Sequence, residues 1–176
     1  MKSKILNQKT KDTKHAIRYV QKFSINLPVE KIDLYQWLTE MEDTDYGSYS
    51  NAHVAMGSYF DDDVFNTVNV ENIGNETLVQ HYQMKYHAPD HVQLYSDKTI
   101  AYVMRWFPAV VSVPWEMQVR ATSANTSELI CLIGADFPSG FLKFAAKMNE
   151  FNGFFLKRHL KEEGKAFAAD IENKFK

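Results

Sequence analysis

Apolar and polar positions alternate from residue 14 onward: Ile17, Tyr19, Phe23 and Ile25 fall on one face, Arg18, Lys22 and Ser24 on the other. A period of two residues predicts a half-buried strand. Beyond Pro28, a residue that the first turn of a helix tolerates, the period lengthens. Leu34, Trp37, Leu38 and Met41 recur at i, i+3, i+4 and i+7, which predicts a short amphipathic helix ending near Asp43. Residues 44–60 keep no clean period and carry Gly47 and Gly57. A second short helix or an irregular, aromatic-rich connection is expected there.

After the acidic turn Asp61-Asp62-Asp63, strand patterns succeed one another. Val64, Val68 and Val70 alternate with Phe65, Thr67 and Asn69, and the turn Asn72-Ile73-Gly74-Asn75 follows. Leu78, Tyr82, Met84 and Tyr86 then alternate with Val79, His81, Gln83 and Lys85, completing a predicted hairpin. His87-Ala88-Pro89-Asp90 breaks the chain, 91–95 reads as a short strand, and Ser96-Asp97-Lys98 reads as the next turn. Ile100, Tyr102, Met104 and Trp106 share one face of a further strand, as do Trp115, Met117 and Val119 beyond Pro114. Between them, Pro108 and Pro114 bracket a nearly uncharged apolar stretch, where proline denies the sheet its donors. That stretch either forms an exposed rim, membrane contact or partner surface, or tucks its valines under the terminal helix as an ordinary strand. Leu129-Ile130-Cys131-Leu132-Ile133 is apolar on both faces, as a strand covered on both sides would be.

The last segment, from 139 to about 173, lacks proline and returns to helical periodicity. Phe141, Phe144, Ala145, Met148, Phe151, Asn152, Phe155, His159 and Ala166 lie on one side of the wheel. One long helix of about 45 Å is predicted, laid across a broad sheet.

Composition narrows the function classes. The 176 residues carry 20 basic and 22 acidic side chains, a net charge of −2, so no nucleic-acid partner is expected. No apolar run approaches the ~20 residues of a membrane span, so no stable membrane insertion is expected. Residues 1–13, with four of the chain's lysines, read as a flexible basic arm, and 14–176 as a single domain. The lone Cys131 excludes an intrachain disulfide and suits a cytoplasmic setting.

The order of strand, short helices, antiparallel strands and long helix resembles the START / Bet v 1-like (SRPBCC, polyketide cyclase-like) superfamily. The carriers are FSINLPVEKIDLYQWLTEME at 23–42 and FPSGFLKFAAKMNEFNGFFLKRHL at 137–160. The resemblance implies an α+β helix-grip fold, in which a curved antiparallel sheet of about seven strands wraps a long C-terminal helix and encloses an apolar cavity. The Gly-rich loop of the plant members is replaced by the short turn at 72–75, so phosphate contact there is not carried over. An NTF2-like cone is the other architecture that pairs helices with a curved sheet, but it opens with its helices.

The expected ligand wall comprises Tyr82, Met84, Tyr102, Met104, Trp106, Trp115 and Met117 from the sheet, with Phe144, Met148, Asn152, Phe155 and His159 from the helix. Tyrosine hydroxyls and flexible thioethers suit an adaptable apolar site, although the same side chains can simply fill a sheet–helix interface. His159 and Glu163, four residues apart on one helical face, are the candidate acid–base pair. His81, His87 and His91 fail as a metal site: on a strand the first two lie about 20 Å apart. No metal and no cofactor is expected. Binding of a hydrophobic or weakly polar small molecule or lipid is the leading expectation, with a homodimer as a further possible association. A cyclase/aromatase-like enzyme and a co-chaperone-like partner module are the alternatives.

Overall fold

The computed structural model describes residues 15–149 and 153–176. The basic arm expected over 1–13, as well as Phe151, Asn152 and the side chain of Met148, lie outside the described residues.

Strand β1 (Ala16–Ile25) leads through a single 3₁₀ turn (Val29–Lys31) into α1 (Leu34–Thr39) and α2 (Asp43–Tyr49). Asp33 caps α1 by accepting the Gln36 amide at 2.9 Å, and Glu42 with Asp45 forms a capping box on α2. These helices carry the chain from one sheet edge to the other. There β2 (His53–Asp61), β3 (Val64–Ile73), β4 (Glu76–Ala88), β5 (His91–Val103), β6 (Phe107–Ala121) and β7 (Ser127–Asp136) follow as antiparallel neighbours. The first strand pairs with the last, giving one seven-stranded sheet in the order β1-β7-β6-β5-β4-β3-β2. Helices α3 (Gly140–Asn149) and α4 (Phe154–Lys174) end the chain. The latter packs on β1, β3 and β7 and on both short helices. Its buried Leu156, Leu160, Phe167 and Ile171 meet Trp37, Trp115 and the inner face of the sheet. Asp170 ties helix to helix, accepting from Trp37 Nε1 at 2.7 Å and from the Tyr49 hydroxyl at 2.9 Å.

Four expectations need correction. Residues 53–61 form an edge strand, β2, whose exposed Val54, Tyr59 and Phe60 erase the alternation that would have revealed it. The predicted turn at 96–98 is a bulge within one continuous strand: the register with β6 slips between Ser96 and Thr99, whose hydroxyls bond at 2.8 Å. Because side chains alternate, that slip moves Ala101 rather than Tyr102 to the buried face. The stretch bracketed by Pro108 and Pro114 is part of β6, paired with β5 on both sides of the bulge, so the sheet is not interrupted; pairing with β7 begins only at Ser112, so residues 107–111 form an edge on that side. Finally, the terminal helix is two helices, with Gly153 at φ +84° before α4, a conformation that favours glycine.

Candidate functional site

The concave face holds two different environments. Towards α3 lies a cavity of about 90 Å³, several times the ~10–15 Å³ that one water requires. Its walls are Leu78, Ala101, Val103, Ala109, Val111, Val113 and Ile133 from the sheet, closed by Leu142 and Ala146 of α3 and Leu156 of α4. Gln80 and Glu76 supply its polar margin. Gln80 is fully buried and its Oε1 has no hydrogen-bond partner among the described residues.

Towards α2 the same face becomes ionisable. His53 opens β2 and pairs in register with Glu71 of β3, while His159 and Glu163 sit one turn apart on α4. All four are buried, and each places a potential ligand atom within 4.8 Å of the others. His53 Nε2 lies 3.5 Å from a Glu163 oxygen. His159 Nε2 lies 3.7 Å from Glu71 and 3.8 Å from Glu163. The second nitrogen of each ring is held from outside. His53 Nδ1 meets the Tyr46 carbonyl at 2.6 Å, and His159 Nδ1 meets Ser50 Oγ at 3.3 Å. Tyr46 also stacks on the His53 ring at 3.8 Å and donates its hydroxyl to Glu71 at 2.5 Å. Burial, reinforced by the charges of Glu71 and Glu163, pushes the Tyr46 phenol far above its usual range, so it remains a donor. Burial alone would lower the pKa of His53. The Glu163 and Glu71 carboxylates and the Tyr46 carbonyl outweigh it, and the pKa is raised. Beside this cluster, Glu71, Glu163, Tyr46, Tyr82 and Trp115 border a cavity of about 20 Å³, room for about one water.

The sequence-predicted residues divide accordingly. Tyr82 and Trp115 border the small polar cavity, Met84 and Met117 are buried core, and His159 and Glu163 belong to the ionisable cluster. Tyr102 lies on the face opposite Ala101. Met104 occupies the left-handed turn between β5 and β6 (φ 52°), and Trp106 beside it is 82% exposed. Phe144 is 64% exposed on α3, and Phe155 sits against Gly74. None of these side chains lines the apolar cavity; the smaller Ala101 and Val103, next in sequence to Tyr102 and Met104, do. His53 and Glu71 were missed. Their available signal is that Glu71 shares its strand face with Phe65 and Ile73, both of which must be buried. Cys131 is buried, and burial raises its thiol well above the usual range, which makes it inert packing.

Among the described residues no helix is long and apolar enough to cross a membrane. No family model matches the chain, and no curated protein matches its sequence. Solved structures do match its fold. The Zhui aromatase/cyclase from Streptomyces sp. R1128 superposes with a TM-score of 0.65 at 8% identity, over 92% of this chain and 97% of that one. A START superfamily protein from Mycobacterium smegmatis gives 0.56 at 10% identity, over 89% and 97%. Ara h 8.0201 gives 0.52 at 8% identity, over 89% and 97%. With the seven-stranded sheet and the long terminal helix, these likenesses establish that the chain has the START / Bet v 1-like helix-grip fold.

Proposed function

We propose that the protein binds a neutral, hydrophobic or weakly polar small molecule in the cavity between β4–β7 and α3. The observation that carries this reading is the cavity itself: small aliphatic side chains leave unfilled space in a face whose other half is packed with aromatic rings. Gln80 Oε1 offers such a ligand one buried acceptor, which suits a hydroxyl or amide donor at one end of an apolar body. The fold is shared with proteins described as aromatase/cyclases, which supports a ligand-accepting interior. The lone buried thiol is in keeping with a cytoplasmic location. An acid–base role for His159 and Glu163 towards an organic substrate is less well supported. Neither residue lines the apolar cavity, and the space beside Glu163 is water-sized.

The test is binding of a neutral naphthol followed by its fluorescence, with native mass spectrometry of protein taken directly from a lysate. Saturable binding to the wild type that is abolished in Ala101→Trp, with melting unchanged, supports the proposal. Failure of the wild type to bind naphthol or any co-purifying apolar molecule rejects it.

A further inference from the structure

The cluster at His53, Glu71, His159 and Glu163 does not contribute to the apolar cavity, and its arrangement is specific. Two carboxylates are buried together, and among the described residues their ion-pair partners are the two histidines. Buried charges of one sign are costly unless a cation compensates them. Three inward atoms, His53 Nε2, His159 Nε2 and Glu163 Oε2, have no hydrogen-bond partner among the described residues.

Both rings are oriented as metal-ligating histidines usually are. The Tyr46 carbonyl can only accept, so His53 Nδ1 is its donor. Ser50 Oγ donates to Glu162 at 3.2 Å, which leaves it to accept from His159 Nδ1. Each ring therefore directs a second nitrogen, Nε2, into the cluster. Tyr46 occupies one oxygen of Glu71 and leaves the other facing His159. In a tetrahedral site with bonds of ~2.0–2.2 Å, neighbouring ligand atoms stand ~3.3–3.6 Å apart. The separations of 3.5 and 3.8 Å, to the two different oxygens of Glu163, and of 3.7 Å to Glu71 lie within a few tenths of an ångström of that range, while the four ligand atoms as a set span up to 4.8 Å, so a bound ion draws the side chains inward by about an ångström.

We infer that these four residues bind a first-row divalent transition-metal ion, of the zinc or ferrous kind, through two imidazole nitrogens and two carboxylates. Two carboxylates neutralise a divalent ion, so the filled site carries no net charge. Mixed imidazole–carboxylate ligation selects this class over calcium and magnesium, which take oxygen ligands. The adjoining cavity of about 20 Å³ leaves room for one metal-bound water next to Tyr82. The inference does not rest on the apolar-ligand proposal, and metal titration and naphthol binding succeed or fail separately.

The test uses the full chain, stripped with a chelator and titrated with Co(II) and then Zn(II). One Co(II) per chain is expected, with the strong visible absorption of low coordination number, displaced by Zn(II). Zn(II) at ~100-fold above its dissociation constant is expected to raise the melting midpoint by about 5–10 °C. Glu163→Gln and His53→Gln should each weaken Zn(II) binding by about 100-fold or more, since even the groups that merely orient ligands contribute 10–100-fold. X-ray absorption of the wild-type zinc complex reads the ligands directly, whether or not the variants fold. Two imidazoles with oxygen donors support it, whereas a coordination shell without imidazole overturns it. Absence of stoichiometric Co(II) and Zn(II) binding, or an unchanged Co(II) spectrum in a folded His53→Gln/His159→Gln double variant, also overturns it.

Discussion

Beneath α3 the concave face carries Ala101, Val111 and Val113, closed by Leu142 of the helix, whereas beneath α2 and α4 the same face carries His53 and Glu71, which meet His159 and Glu163 of α4. One sheet and one layer of helices thus enclose two interiors. Gln80 is the residue between them: it lines the apolar cavity, and its Nε2 lies 3.4 Å from Glu71. In the first interior the interactions are non-directional and space is left over. In the second, Tyr46 holds His53 and Glu71, Ser50 holds His159, and Glu163 stands between the two rings. The apolar half is therefore expected to tolerate changes of volume, and the polar half to tolerate almost no change of chemistry.

The largest effect removes the helices common to both. A chain ending at Gly140 loses Leu156, Leu160, Phe167 and Ile171, each contributing ~1.5–3 kcal/mol of burial, against a whole-domain stability of ~5–15 kcal/mol. Its urea titration should show no cooperative transition. Next comes Glu163→Leu, which strips a carboxylate from two buried histidines and should cost about 3–5 kcal/mol by chemical denaturation. A loss below 1 kcal/mol would show the polar half to be as permissive as the apolar one. Ala101→Leu, in the other half, is expected to change stability by less than ~1.5 kcal/mol, because it adds methylenes to existing space. A loss of several kcal/mol would show that the space is already filled.

Two smaller effects lie outside both interiors. Glu116 is half-buried on β6, and burial alone would raise its pKa. The hydrogen bond from His91 at 2.7 Å outweighs this and lowers it below the ordinary value of 4.5. A carboxylate with a depressed pKa in the folded state stabilises above its unfolded value, and that contribution is lost as pH falls through the folded value. Glu116→Gln should therefore destabilise the protein slightly at neutral pH and flatten the fall of its melting temperature below about pH 4.5. Val110→Asp, on a side chain 52% exposed, should shift stability by no more than ~0.5 kcal/mol in the same assay.

Most of the architecture was legible from periodicity, because β1, β4 and α1 bury one face each and expose the other. The edge strand β2 was not, since an edge that buries only His53 carries no alternation. The bulge at Ser96–Thr99 was not either, because its consequence is a change of parity that no single residue announces. That slip puts Ala101 and Val103 in the wall instead of Tyr102, and the turn between β5 and β6 takes Met104 and Trp106 out of the strand. Bulky residues were also the wrong quantity to seek, as a cavity persists where side chains are small. His159 and Glu163 could be paired because they are four apart on a helix. Their partners His53 and Glu71 arrive through strand pairing and helix docking, of which the only local trace is the face that Glu71 shares with Phe65 and Ile73.

The division of the concave face is tested most directly by a methyl NMR titration of the wild type with naphthol. Saturable shifts are expected at Leu78, Val111, Val113 and Leu142, with the methyls of Leu38 and Leu94 beside the polar cluster unmoved. Shifts centred on Leu38 and Leu94, or no saturable shift at all, would contradict it.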